Sequence, residues 1–187
     1  LLKKLFVEDK EFIKSFEEHS AAKTVHHGFV GGLMEHTLSV AKLCDYMAGA
    51  YPVIKRDMLI TAALLHDVGK TRELSSFPMN DYTDEGRLLG HIIIGAQMIH
   101  DLAREIPDFP QDLGNQLVHC ILAHHGELEY GSPKKPPLLE AMALNFADNA
   151  DAKMETMIEV LRGAGDNQGW LGYNRLLETN IRKTTEY

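Results

Sequence analysis

Apolar residues recur at helical spacing along most of the chain. Phe12, Ile13 and Phe16 mark a helix from Asp9 to His19, with the acidic Asp9 at the positive pole of the helix. Leu33, Thr37, Val40, Ala41, Cys44 and Met47 share one stripe, which predicts a buried helix from the Gly31-Gly32 pair to about Ala50, closed by Pro52. Met58, Leu59, Ala62, Ala63 and Leu65 carry the period from Asp57 to His66, and Gly69 breaks it just past the His66-Asp67 pair. From Glu73 to Gly86 the chain is rich in Ser, Pro, Asn, Asp and Gly, which suits a loop or a short β-hairpin near 74–84. Helical patterns resume over 88–105, 111–124 and 138–161, separated by Pro107 with Pro110 and by the stretch from Gly131 to Pro137. A last short helix is expected near Tyr173 to Thr179.

No repeat, low-complexity tract or change of composition marks a second domain. The expectation is a single all-α domain spanning 1–187, with an N-terminal helix in 1–20, a helical core in 21–162 and a C-terminal helix in 163–187. At 187 residues the chain can bury a core without disulfide or zinc staples, and 44% hydrophobic with 25% charged residues excludes disorder. No apolar run reaches the roughly 18 residues of a membrane span. The start, Leu-Leu-Lys-Lys, has neither an initiator Met nor the succession of a secretory signal, and reads as a trimmed boundary. Cys44 and Cys120 both lie in apolar helical patterns and read as reduced core residues of a cytoplasmic protein. The net charge of −8 argues against a broad basic surface for nucleic acid, and leaves room for a local phosphate site.

Ten histidines change the picture. His36, His66-Asp67, His91, His124-His125 and Asp148 stand at or near helix ends in apolar surroundings. Any one of them alone reads as a buried His bonded to a carbonyl or a capping Asp. Together they would cost several kcal/mol apiece if buried without shared compensation, and a metal cluster supplies it. Imidazole with carboxylate suits a hydrolytic or redox divalent metal, and the two oxygens of Asp67 allow it to bridge two cations.

This His, His-Asp, His, His-His, Asp pattern resembles the HD-domain superfamily of metal-dependent phosphohydrolases. More narrowly, five strings look like the HD domain of YhaM-type 3′-5′ exoribonucleases: His26-His27-Gly-Phe-Val-Gly-Gly-Leu; Leu65-His66-Asp67-Val-Gly-Lys70; Tyr82 through His91; His124-His125-Gly with Gly131-Ser132-Pro133; and Ala147-Asp148-Asn-Ala-Asp151-Ala-Lys153-Met. The resemblance runs from about Phe12 to Arg162. It implies a first metal on His36, His66, Asp67 and Asp148, and a second sharing Asp67 with His91, His124 and His125, the division between the last two being open. It also implies iron or manganese as the two divalent ions, and attack on phosphorus by a metal-activated hydroxide. Asp67 and Lys70 are then the catalytic pair, with Lys70 reaching a substrate phosphate. Lys23, His26 and His27 are candidates for a substrate-binding lip. That family usually carries an N-terminal OB-fold that grips single-stranded nucleic acid, and this sequence contains none, so the OB-fold is an expected partner.

Arg72, Arg87, Lys134 and Lys135 read as a solvated charged face, with steering of an acidic substrate as the alternative. Asn149, Asp151 and Lys153 follow Asp148 on one helix, where a supporting salt link and a substrate contact are equally open; His19, His100 and His119 are assigned to structure. The expected activity is 3′-5′ hydrolysis of single-stranded RNA or short oligonucleotides. The alternatives are a phosphohydrolase of a nucleoside monophosphate or cyclic dinucleotide, and a non-catalytic metal-stabilised module.

Overall fold

A computed structural model describes residues 1–23 and 28–185. Among the described residues, a π-helical turn at Lys4–Glu8 is followed by seven α-helices: α1 (Lys10–Glu18), α2 (Gly32–Ala50), α3 (Arg56–Leu65), α4 (Lys70–Glu73), α5 (Asp84–Arg104), α6 (Gln111–Ala123) and α7 (Leu139–Gly163). A strand pair, β1 (Trp170–Asn174) and β2 (Thr179–Arg182), ends the described chain. Among the described residues, no helix is long and apolar enough to cross a membrane.

Local chemistry sets the helix ends. The Asp9 carboxylate accepts the Phe12 backbone N–H at 2.9 Å, so the expected cap of α1 is in place. Thr83 does the same for α5 through the Gly86 N–H at 2.9 Å, starting that helix four residues before the apolar pattern does. Inside α5, Gly90 adopts φ 73° and ψ 156°, and the helix restarts at His91. Only glycine takes that conformation cheaply.

Two apolar clusters fill the interior. One joins α2, α3, α6 and α7 through Val40, Leu59, Ala62, Cys120 and Leu144; the other joins the N-terminal segment, α1, α2, α5 and α6 through Phe12, Phe16, Leu33, Ile99 and Ile121. Helices α3 and α6 feed both: α3 turns Leu59 to one and Leu65 to the other, and α6 does so with Cys120 and Ile121. Each fully buried leucine or isoleucine contributes about 1.5–3 kcal/mol. The C-terminal ends of α3 and α6, where His66-Asp67 and His124-His125 sit, are thereby held deep between the clusters.

The C-terminal expectation is corrected. The segment Tyr173–Thr179 is not a helix: β1 and β2 pair antiparallel, with Tyr173 opposite Asn180 and Asn174 opposite Thr179. The turn chemistry explains it, because the Asn174 side chain accepts the Leu176 and Leu177 N–H groups at 2.9 and 3.0 Å while Glu178 and Gly172 take positive φ. In the 74–84 region the possible hairpin amounts to a single bridge between Leu74 and Tyr82.

Candidate metal centre

The described candidate ligands come from five helices and converge. His36 projects from α2, His66 and Asp67 from the end of α3, His91 from α5 just after the Gly90 break, His124 and His125 from the end of α6, and Asp148 from α7. Asp67 is central. Its Oδ2 lies 3.4 Å from His36 Nε2 and 3.3 Å from His66 Nε2, and its Oδ1 lies 3.6 Å from His91 Nε2 and 3.7 Å from His124 Nε2. Asp148 Oδ1 closes the first half at 3.2 Å from His36 Nε2 and 3.8 Å from His66 Nε2. Donors about 2.0–2.2 Å from one ion stand roughly 3.0–3.6 Å apart, so this spacing suits shared cations.

Two groups that could each hold a metal ion result: His36, His66 and Asp67 on one side, and His91, His124 and His125 on the other. Each imidazole is tied at Nδ1, which fixes its tautomer and turns Nε2 inward. His66 Nδ1 donates to the Ala63 carbonyl at 2.7 Å, His124 to Ile121 at 2.6 Å and His125 to Tyr130 at 2.8 Å. His36 Nδ1 meets Asp151 Oδ2 at 2.7 Å, and His91 Nδ1 meets Glu73 Oε1 at 3.0 Å. Asp67 Oδ1, His91 Nε2 and His124 Nε2 are buried with no hydrogen-bond partner among the described residues. An uncompensated polar atom of that kind is costly, and three aimed at one point fit a bound cation.

The electrostatics agree. Burial pushes the Asp67 carboxyl up, but the charges of Lys70 and His66 and hydrogen bonds from His36 and His66 hold it well below the usual range. Burial likewise opposes ionisation of Asp148, and His36, His66 and His124 more than reverse it. Burial lowers His36, yet Asp148, Asp151 and Asp67 outweigh it and raise that ring well above its ordinary value. A proton and a cation are two answers to the same carboxylates. His124 is pushed well down by burial and by its neighbour His125.

Lys70 Nζ contacts Asp67 Oδ2 at 2.6 Å. Lys23 instead pairs with Asp81 at 2.8 Å on the surface, and His26 and His27 lie outside the described residues. Arg72 pairs with Glu85, Arg87 with Asp81 and Lys135 with Glu127, as a solvated charged face would. His19 donates to the Leu74 carbonyl, which is the expected structural role. Two supports were not foreseen from the sequence. Glu73 carries no motif that links it to His91, and Asn145 reaches the His124 carbonyl at 2.8 Å, beside Gly126, whose φ of 77° and close approach to that amide leave no space for a side chain. Asp151 was legible only as following Asp148 on the same helix.

The HD domain family matches residues 33–153, the stretch that contains every candidate ligand described above, and the chain belongs to that family. It is homologous to exoribonucleases called YhaM. The 3′-5′ exoribonucleases YhaM of Bacillus velezensis and of Bacillus subtilis are each 42% identical to it over 154 residues, covering 81% of this chain and 48% of theirs. That of Halalkalibacterium halodurans is 40% identical over 158 residues, 81% of this chain and 47% of its own. The chain thus spans about half the length of these curated relatives. No solved structure gave a significant match.

Proposed function

We propose that this domain hydrolyses the phosphodiester bonds of single-stranded RNA or short oligonucleotides from the 3′ end, with two divalent cations, manganese or iron, at the cluster. The observation that carries the reading is the set of orphaned buried atoms, Asp67 Oδ1, His91 Nε2 and His124 Nε2, facing one another within the stretch that the HD domain family matches. The name of the relatives supplies the substrate class.

His36, His66, Asp67 and Asp148 would hold one cation, and Asp67, His91 and His124, with His125 beside them, a second. Divalent cations there would supply Lewis acidity toward phosphoryl oxygens and would acidify water. The protein's own part is orientation. Five rings are held at Nδ1 by outward partners, so with cations bound their Nε2 lone pairs would face the centre beside the carboxylate oxygens. Burial keeps that centre in a low dielectric, where charge on a phosphate is felt strongly. Lys70, charged and held at Asp67, is placed to meet the negative charge that develops as phosphorus is attacked.

The test follows a 5′-labelled single-stranded RNA with Mn²⁺, with chelator, and with Asp67→Ala. A shortening ladder that needs both metal and Asp67 is expected. Metal-loaded protein that leaves RNA intact while cleaving a nucleoside monophosphate or a cyclic dinucleotide overturns the polymer reading.

A further inference from the structure

We propose that Glu73 is the positioning residue of the second cation subsite: one carboxylate oxygen both restarts α5 after Gly90 and sets the His91 ring with its lone pair toward Asp67. The proposal rests on the two-cation reading above.

The break at Gly90 leaves His91 at the start of a new helical segment, where backbone N–H groups lose their partners four residues back. Glu73 Oε1 accepts the His91 backbone N–H at 3.0 Å, acting as a cap borrowed from another helix, and the same oxygen accepts His91 Nδ1–H at 3.0 Å. A neutral imidazole has one N–H. With that hydrogen given to Glu73, Nε2 presents a lone pair to Asp67 Oδ1 at 3.6 Å, and both atoms are buried without a hydrogen-bond partner. Two acceptors opposed in this way repel unless a cation stands with them.

Glu73 has little freedom to do anything else. A Cβ on Gly69 would lie 2.1 Å from the His91 carbonyl oxygen and 2.6 Å from the Gly95 nitrogen, and one on Gly86 would lie 2.2 Å from the Glu73 carbonyl oxygen. These two glycines let α4 press against α5 on both sides of the break. Thr83 Oγ1 ties the contact by donating to the Arg72 carbonyl at 2.8 Å. Burial pushes the Glu73 carboxyl up, and the hydrogen bonds from His91 outweigh it, so the group stays ionised. His124 and His125, the other rings of this half, rest on main-chain carbonyls. His91 is the ring in this half that rests on a side-chain carboxylate, and an ionised acceptor strengthens the far nitrogen as a ligand.

The test titrates metal-stripped wild type, Glu73→Gln and Glu73→Ala with Mn²⁺ by calorimetry, with urea unfolding and ¹⁵N spectra of the histidine rings recorded on the metal-free proteins. Glu73→Gln keeps an amide oxygen to cap the His91 N–H and loses the charge. Expected are two Mn²⁺ equivalents for wild type, a second binding step weakened roughly 10-fold or more in Glu73→Gln with the first step unchanged, and loss of the second step in Glu73→Ala. The His91 ring should carry its hydrogen at Nδ1 in wild type and become a tautomer mixture in Glu73→Ala. Variants that lose stability yet bind both Mn²⁺ ions with wild-type affinity would make Glu73 a helix cap only and overturn the proposal. Wild type that binds one Mn²⁺ or none overturns the two-cation reading instead, and the His91 tautomer in the metal-free proteins still decides the orienting role of Glu73.

Discussion

Lys70 Nζ lies 2.6 Å from Asp67 Oδ2, with side chains only 15% and 2% exposed. The three-residue spacing, across the turn that Gly69 makes, brings an ammonium to the residue that both halves of the cluster share. Burial lowers Lys70, and Asp67 more than restores it, while Lys70 is the foremost charge holding Asp67 ionised. Each therefore helps to keep the other charged in a place where burial opposes both charges.

Removing the carboxylate should be felt by metal and fold together. Asp67→Ala is expected to abolish binding of both cations in elemental analysis, and to cost about 3–5 kcal/mol in urea unfolding because Lys70 is left buried without its counter-charge. Lys70→Met should retain the cations and lose about 100-fold in kcat, as for loss of one donor to a developing oxyanion. Full metal content in Asp67→Ala would refute the bridging role.

Glycine contacts give a paired prediction. Gly69→Ala places a methyl group 2.1 Å from the His91 carbonyl oxygen, which is backbone and cannot step aside. A loss of at least about 3 kcal/mol in urea unfolding is expected. Gly49→Ala, in α2 with open space where its Cβ would lie, should stabilise by about 0.5–1 kcal/mol.

The direction of each shift sets the pH response. Asp67 and Asp148 are depressed, so their contribution is present above the ordinary carboxylate value of 3.8 and is lost as pH falls toward their folded values. His19, His124 and His125 are lowered foremost by burial, and their unfolded forms take up protons first, so stability also declines as pH drops below 6.5. His36 is raised, so its share is complete below 6.5 and is lost as pH rises through its folded value. Urea midpoints of chelated protein from about pH 4 to pH 9 should therefore fall toward both ends. With Mn²⁺ the alkaline decline should vanish and affinity should rise with pH, because His36 must release its proton to bind.

Both thiols should be inert in the folded protein. Burial, with a smaller push from Asp148 for Cys44 and from Glu140 for Cys120, raises each to about 12. Native protein at about pH 8 should resist iodoacetamide and react at two sites once unfolded, read by mass spectrometry.

The helices were legible because their apolar spacing is local, and the candidate cluster was legible because His66-Asp67, His124-His125 and Asp148 fall in short motifs. The C-terminal hairpin was not, since the Asn174 turn and positive-φ positions outweigh a weak helical pattern there. Which residues support the ligands was decided only in three dimensions. Asp151 reaches His36 across 115 positions, Glu73 reaches His91 across 18, and Lys23 turns to Asp81 across 58. Sequence by itself determined which side chains can bind metal, because that chemistry belongs to residue type. Tertiary structure decided which nitrogen each ring presents and which carboxylate holds it, because a hydrogen bond needs a partner within about 3 Å and only packing such as Gly69 against His91 brings one there.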